Sequence, residues 1–431
     1  MRRYTLKLIQ AANCREFKYT VFPTLGLPML AAVTPRNYDI EIVDERVQEN
    51  NLDDNPDIVG ISFECYRQRR AFELADHYRK KGAKVIFGGV HTTACYKEVQ
   101  AYCDAAVIGE AEELWPKVLQ DFENGQLKKI YAQNTPVDLS RLPLPRMDLI
   151  DTRRYTFVYP IQASRGCIHN CGFCFSKTIN PTYRTFPVDY VYEQAKIAGD
   201  TLFFLDDNFT ADRNNAIKVL KRLAPLKKSI AFQANLYIGK DLELLKVMQE
   251  AGVKLIFAGI ESINEESLKS VHKGFNKVME YEECIKNLKA HDVEPTLGII
   301  FGLDHDRKDI FKTTLDFLQR NDIVRIAPNL IVPYPGTMQY ERYENEKRIM
   351  HNTFSLYHGR YLIVKPKGMS VKELEEGYAW FIRKYYSPLP FIRRSLKNRR
   401  HLGRLIGLFY TLAEYHVLKI TSLFARKECR F

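Results

Sequence analysis

The chain of 431 residues lacks an unbroken apolar run that could cross a bilayer. Its most apolar stretch, Leu402 to Phe424, is interrupted by Arg404, Glu414, His416 and Lys419, which makes it a poor span. The run from Tyr4 to Ala12 behind Met1-Arg2-Arg3 lacks the length and the small-residue cleavage site of a secretory signal, and reads as a first strand. A disulfide framework is also missing. The nine cysteines are an odd number, and six of them (Cys14, Cys65, Cys95, Cys103, Cys284, Cys429) are scattered. These absences predict a cytoplasmic protein whose thiols stay reduced. There is no internal repeat and no low-complexity segment. A composition of 45% hydrophobic and 27% charged residues excludes wholesale disorder, and the length suits two or three domains.

The body of the chain has little net charge. Of the total of +12, residues 391–431 carry +8, from ten Lys and Arg against Glu414 and Glu428. Nucleic acid is disfavoured as a partner, because no recognition module accompanies this charge. Leu402, Leu405, Ile406, Leu408, Phe409, Leu412, Val417, Leu418 and Leu423 give the tail one apolar helix face, preceded by Arg393 to Arg404. Two readings follow: a terminal helix docked on the body, which is preferred because most amphipathic helices pack, and a peripheral membrane contact.

Short apolar runs alternate with helical patterns through most of the chain. In residues 1–135 the strands are expected at Thr5–Ala11, Asp39–Asp44, Asp57–Phe63, Lys84–Phe87 and Ala105–Ile108. Helices are expected at Leu25–Val33, Gln68–Lys80 and Glu112–Asn124, which together make a Rossmann-like α/β domain with a parallel sheet. Ligands bind such sheets at the carboxyl ends of the strands. Here those ends read Glu64-Cys65-Tyr66, Gly88-Gly89-Val90-His91 and Gly109-Glu110. Residues 136–157, with Leu142-Pro143-Leu144-Pro145, read as a linker. Residues 158–345 repeat the alternation, with strands at Tyr159–Ala163, Leu202–Leu205, Ile230–Gln233, Leu255–Gly259, Thr296–Phe301 and Ile326–Val332. Asn214–Leu223, Leu242–Glu250, Tyr281–Ala290 and Ile310–Leu318 are the helices between them. Six β/α units predict a full or partial (β/α)6 TIM-type barrel, with its site at the strand C-termini. Residues 346–431 form a helical C-terminal region, with helices at Val371–Arg383 and Leu402–Leu423.

Three cysteines are clustered after the first barrel strand, in Arg165-Gly166-Cys167-Ile168-His169-Asn170-Cys171-Gly172-Phe173-Cys174. Three close thiolates suit a soft metal centre, either zinc or an iron–sulfur cluster. Structural zinc needs a fourth ligand, and His169 is confined within the loop. The C-x3-C-x2-C spacing, with Phe173 before the last cysteine, resembles the radical S-adenosylmethionine (SAM) superfamily. The wider chain, over about residues 1–385, resembles the subgroup with an N-terminal cobalamin (B12)-binding domain. Phe22 to Pro28, Asp57 to Ser62, Gly88 to His91, Val107 to Glu112 and Val332 to Thr337 carry that likeness.

The resemblance implies that Cys167, Cys171 and Cys174 hold a 4Fe–4S cluster whose open iron chelates SAM. One electron, from an external reductant of the flavodoxin or ferredoxin type, then cleaves SAM to a 5′-deoxyadenosyl radical. A dry cavity must contain that radical. Candidate SAM contacts are Phe173, then Asp206, Asp207 and Asn208 after the second barrel strand, Gln233 after the third, Glu261 after the fourth, and Ile300 within Gly298 to Gly302. Candidate cobalamin contacts are Glu64, Gly88, Gly89, His91 and Glu110. The cobalt-ligating D-x-H-x-x-G pattern found in many cobalamin domains is missing. Asp76-His77 lies in a helical pattern with Lys81 at the glycine position, so it is rejected as a cobalt site. The expected activity is cobalamin-dependent methylation of an unactivated carbon in a small-molecule or lipid-like substrate. A radical ring contraction, cyclisation or other rearrangement is the alternative. A methylthiotransferase, which would need a second cysteine triad, and a non-enzymatic metal-binding protein rank lower.

Overall fold

The computed structural model describes residues 2–13, 22–133, 135–155 and 159–397. The first sheet contains β1 (Tyr4–Gln10), β2 (Tyr38–Asp44), β3 (Ile58–Ser62), β4 (Lys84–Gly88), β5 (Ala105–Ile108) and β6 (Ile130–Ala132). All pairs are parallel, in the order β2-β1-β3-β4-β5-β6. The strands are apolar on both faces because both faces are covered. Leu6, Leu8, Ile58, Ile86 and Val107 pack with Trp115 on one side. Ile9, Val59, Ile61, Val85 and Phe87 pack with Leu74 and Tyr78 on the other. The reversal of strand order beside β1 opens the crevice beyond the carboxyl ends of β1 and β3.

The stretch read as a linker is not a loose tether. Met147, Ile150 and Tyr155 are buried against the first sheet, and the Tyr155 hydroxyl donates to Asp44 at 2.9 Å. Helix Val90–Val99 is absent from the sequence reading, since VHTTACYKEV has no clear apolar stripe.

The second sheet begins with β7 (Tyr159–Ile161). A two-stranded antiparallel hairpin follows, β8 (Ser164–Arg165) with β9 (Arg184–Thr185). The sheet then continues through β10 (Thr201–Phe204), β11 (Ser229–Gln233), β12 (Val253–Glu261), β13 (Glu294–Phe301) and β14 (Arg325–Leu330). Its six strands are parallel and lie in chain order, the arrangement of a partial barrel. Ile161, Phe204, Phe232, Ile256, Leu297 and Ile326 share one core with the surrounding helices. Helices Gln68–Lys80, Leu242–Glu250 and Tyr281–Ala290 have the bounds read from the sequence. After the barrel come helices Met338–Asn345, Val371–Tyr385 and Pro388–Lys397. Among the described residues, no helix is long and apolar enough to cross a membrane. The expected helix Leu402–Leu423 lies outside the described residues.

Candidate radical and cofactor site

The cysteine loop leaves β8 through Gly166. Its φ is +81°, and a Cβ there would lie 2.5 Å from the Thr182 carbonyl oxygen, so glycine is required. Two distant segments hold the loop. The Gly172 N–H donates to the Val271 carbonyl at 2.9 Å, and the Gly172 carbonyl accepts from the Gln339 N–H at 2.9 Å. The His169 ring stacks on Phe275 at 4.1 Å, and its backbone N–H points to the Cys167 sulfur at 3.5 Å. Burial pushes the Cys171 thiol up to about 11 and raises that of Cys174, while the cation of Lys273 acts against both shifts. These thiols need a metal's positive charge to ionise at neutral pH. Among the described residues, no three His, Cys, Asp or Glu side chains gather as the site of a single metal ion. A cube-shaped cluster takes each thiolate on a different iron, so a spaced triad on one loop suits it.

Lys273 had no signal in the sequence. Its ammonium lies 2.7 Å from Glu261 Oε1, with both side chains nearly buried, and 5.9 Å from the centre of the Phe173 ring. Glu261 ends β12 at a register shift against β13, and its φ of 61° is left-handed, a strained conformation for a side-chain-bearing residue. Phe173 and Ile300 belong to one apolar cluster over the barrel mouth, with Val332, Tyr334, Tyr343, Phe354 and Tyr357. Cys65 and Tyr66, from the loop after β3, join it from the first half of the chain.

The other rim candidates divide by role. Asp206 is fully buried; its carboxylate accepts from the Ala163 N–H at 3.0 Å and from the Ser164 hydroxyl at 2.5 Å. Burial raises its pKa to about 7, against the effect of those hydrogen bonds. It therefore braces the chain entering the cysteine loop. Asp207 accepts from Ser176 at 2.7 Å, two residues past Cys174. Asn208 is buried and accepts from the Thr210 hydroxyl at 3.3 Å. Gln233 donates to the Asp206 carbonyl at 3.3 Å.

A cavity of about 400 Å³ lies between the two halves. Gly88, Gly89, Gly109 and Glu110 line it from the first sheet, and Gln162, Arg165 and Tyr190 from the second. A Cβ on Gly88 or Gly109 would meet nothing within 4 Å, so the glycines leave a bare cradle for a bulky group. Gly89 has another reason to be glycine: its φ is +86°, and a Cβ would meet the Ser62 hydroxyl at 2.6 Å. Glu64 and His91 are not among the lining residues. Glu64 pairs with Arg67 at 3.2 Å. His91 is buried between the rings of Phe63 and Phe354, and burial lowers its pKa to about 4, so its ring is neutral.

Glu110 is engaged rather than free. Arg165 lies 2.7 Å from it and 2.6 Å from Glu112, and Arg184 holds the other Glu110 oxygen at 3.0 Å. Burial pushes the Glu110 pKa up, but hydrogen bonds from Arg184 and Arg165 hold it below the ordinary carboxylate value. The sequence reading missed this bridge, although Arg165 abuts the cysteine motif.

Comparison with known proteins agrees with this geometry. The family model of the radical SAM superfamily matches residues 161–318, and that of the B12 binding domain matches residues 16–119. The chain thus carries an N-terminal B12-binding domain followed by a radical SAM domain, as the sequence resemblance implied. It is a radical SAM enzyme whose cofactors are a 4Fe–4S cluster, SAM and cobalamin. It is 26% identical over 386 residues to the bacteriochlorophyllide d C-12(1)-methyltransferase of Chlorobaculum tepidum, covering 86% of this chain and 84% of that protein. It is 28% identical over 349 residues to the hopanoid C-2 methylase of Rhodopseudomonas palustris, covering 77% of this chain and 66% of that one. The fold is shared with the radical SAM methyltransferase TsrM of Kitasatospora setae, with cobalamin and a [4Fe–4S] cluster bound (TM-score 0.68, 14% identity, 90% of this chain and 89% of that chain). It is also shared with the cobalamin-dependent SAM radical enzyme OxsB (TM-score 0.69, 17% identity, 99% and 75%).

Proposed function

We propose that the enzyme transfers a methyl group from SAM, by way of cobalamin, to an unactivated carbon of a small apolar or lipid-like molecule. One observation carries the reading. A glycine-lined cavity at the strand ends of the first half is walled on its other side by the barrel, at the residue that leads into the three cysteines. The C. tepidum and R. palustris relatives are named for methyl transfer to a bacteriochlorophyllide and to a hopanoid, and support a small-molecule acceptor.

In this reading Cys167, Cys171 and Cys174 hold the cluster, and Gly88, Gly89 and Gly109 let cobalamin approach the first sheet. When bound, the cluster with SAM supplies a carbon-centred radical and cobalamin supplies a methyl carrier. The chain's own residues do the rest. Phe173, Ile300 and Tyr334 keep water from the barrel mouth and offer an apolar wall to the acceptor. Asn208, Gln233 and Glu261 stand at strand ends where SAM would lie, with Lys273 fixing the Glu261 carboxylate. Asp206 and Asp207 brace the cysteine loop from either end. The electron such a cluster requires would come from a donor of the flavodoxin or ferredoxin type. Membrane contact through residues 391–431 is a separate proposal. Vesicle flotation of the full chain against a chain ending at residue 390 tests it, and equal flotation refutes it.

The test of the main reading is anaerobic reconstitution with iron, sulfide and hydroxocobalamin, then incubation with dithionite and SAM deuterated at its methyl group. A bound-cobalamin spectrum, 5′-deoxyadenosine, and deuterated methyl in an added apolar cell extract are expected. Changing any one of the three cysteines to Ala abolishes the last two. 5′-Deoxyadenosine without label transfer supports a rearrangement enzyme and overturns methyl transfer.

A further inference from the structure

We infer that Arg165 is a positioning residue that sets the separation of the cobalamin and cluster sites. This rests on the reading above, that the first half holds cobalamin and the cysteine loop holds the cluster. Arg165 belongs to both sites at once. Its backbone is followed by Gly166 and then Cys167, and Gly166 is held in a left-handed turn against Thr182 and Asn180. Little slack therefore separates Arg165 from the first cysteine.

Its side chain points the other way, to the rim of the cavity, and is nearly buried, at 10% exposure. One guanidinium nitrogen meets Glu110 at 2.7 Å and another meets Glu112 at 2.6 Å, while Nε donates to Gln162 at 3.3 Å. All three nitrogens of the planar group are used, so its orientation is fixed as well as its distance. Arg184, the register partner of Arg165 in the hairpin, takes the other oxygen of Glu110 at 3.0 Å and donates to the Val137 carbonyl at 2.6 Å. The Val137 N–H returns to the same Glu110 oxygen at 3.1 Å. A hairpin from the barrel thus grips one carboxylate of the first half with two arginines.

Stability alone is a poor explanation for such a grip. Apolar side chains of similar volume can join two surfaces as firmly as a buried ion pair. They would not fix a direction. Transfer between two cofactors needs direction, because small displacements of reacting partners cost large factors in rate.

The experiment uses the full chain loaded with iron, sulfide and hydroxocobalamin, then reduced so that both centres are paramagnetic. Their magnetic interaction depends steeply on distance and is read by electron paramagnetic resonance. Arg165→Lys keeps the charge but loses the fork, and Glu112→Gln weakens the grip from the half that carries none of the three clustered cysteines. In both variants the cluster's iron content and its own signal are expected to persist. The relaxation enhancement between the two centres should weaken and spread, and label transferred per 5′-deoxyadenosine should fall about tenfold or more. A Glu112→Gln or Arg165→Lys protein with the parent's magnetic interaction and transfer ratio overturns the inference. Should Arg165→Lys lose its iron, Glu112→Gln decides alone. A parent protein that binds no hydroxocobalamin overturns the underlying reading, and the inference with it.

Discussion

Replacing Asp206 with Asn should leave the fold intact and change how its stability depends on pH. Burial holds this carboxyl's pKa at about 7, well above its ordinary 3.8, so the folded chain keeps a proton that the unfolded chain has released. Wherever the folded state binds more protons, stability falls as pH rises. The loss begins near the ordinary value and is complete once pH exceeds about 7. Between pH 5 and pH 8 this one group should lower stability by about 3 kcal/mol. Asn cannot titrate, and its amide oxygen can still accept the Ala163 N–H. The thermal midpoint of Asp206→Asn relative to the parent should therefore rise by about 3 °C between pH 5 and pH 8. Scanning calorimetry of the anaerobic protein at both pH values measures it. Asp206→Ala, by contrast, leaves the buried Ala163 N–H without its acceptor and removes one partner of the Ser164 hydroxyl, at a cost of roughly 1–3 kcal/mol. It should also lower bound iron, because those residues lead into the cysteine loop. A difference in midpoint that does not change with pH, or an Asp206→Ala protein with full iron and unchanged melting, would refute the reasoning.

Gly166→Ala forces a left-handed residue into contact with the Thr182 carbonyl. The strain is about 1–2 kcal/mol before the clash is counted, and iron retention should fall while circular dichroism stays near that of the parent. Gly88→Val places its side chain in open space, so melting should hold while hydroxocobalamin titration shows affinity at least about tenfold weaker. Lys273→Met leaves Glu261 buried without its cation, at a cost of roughly 3–5 kcal/mol. It also removes a positive charge beside Cys171 and Cys174, so the cluster's midpoint potential should fall, on the order of tens of millivolts, in a redox titration.

What the sequence revealed was mostly local. Strand β5 and helix Gln68–Lys80 have the expected bounds, because an apolar run or stripe ended by polar residues identifies them without help. Helix Val90–Val99 was not legible: its apolar residues do not form a stripe, and it is held by the sheet beneath it. The cysteine triad was legible because its spacing is itself the signal. The groups that complete the site were not, because tertiary packing brings them together. Lys273 meets the loop from a hundred residues downstream, and Glu112 meets Arg165 from fifty-three residues upstream. Asp206 illustrates the same point from the other side: its rim position marked it as a candidate ligand contact, and only the fold shows its carboxylate buried against Ala163 and Ser164.

The two backbone anchors of Gly172 bear on how the protein is made. The cysteines leave the ribosome well before Val271 and long before Gln339, the residues that fix the loop between them. A growing chain therefore exposes three bare thiols with no frame around them. Iron loading is therefore expected late, once the chain has passed Gln339 in helix Met338–Asn345 and both anchors of Gly172 are in place. Arresting translation before residue 339 should yield chains that fold a first sheet yet acquire little cluster from a sulfide and iron donor.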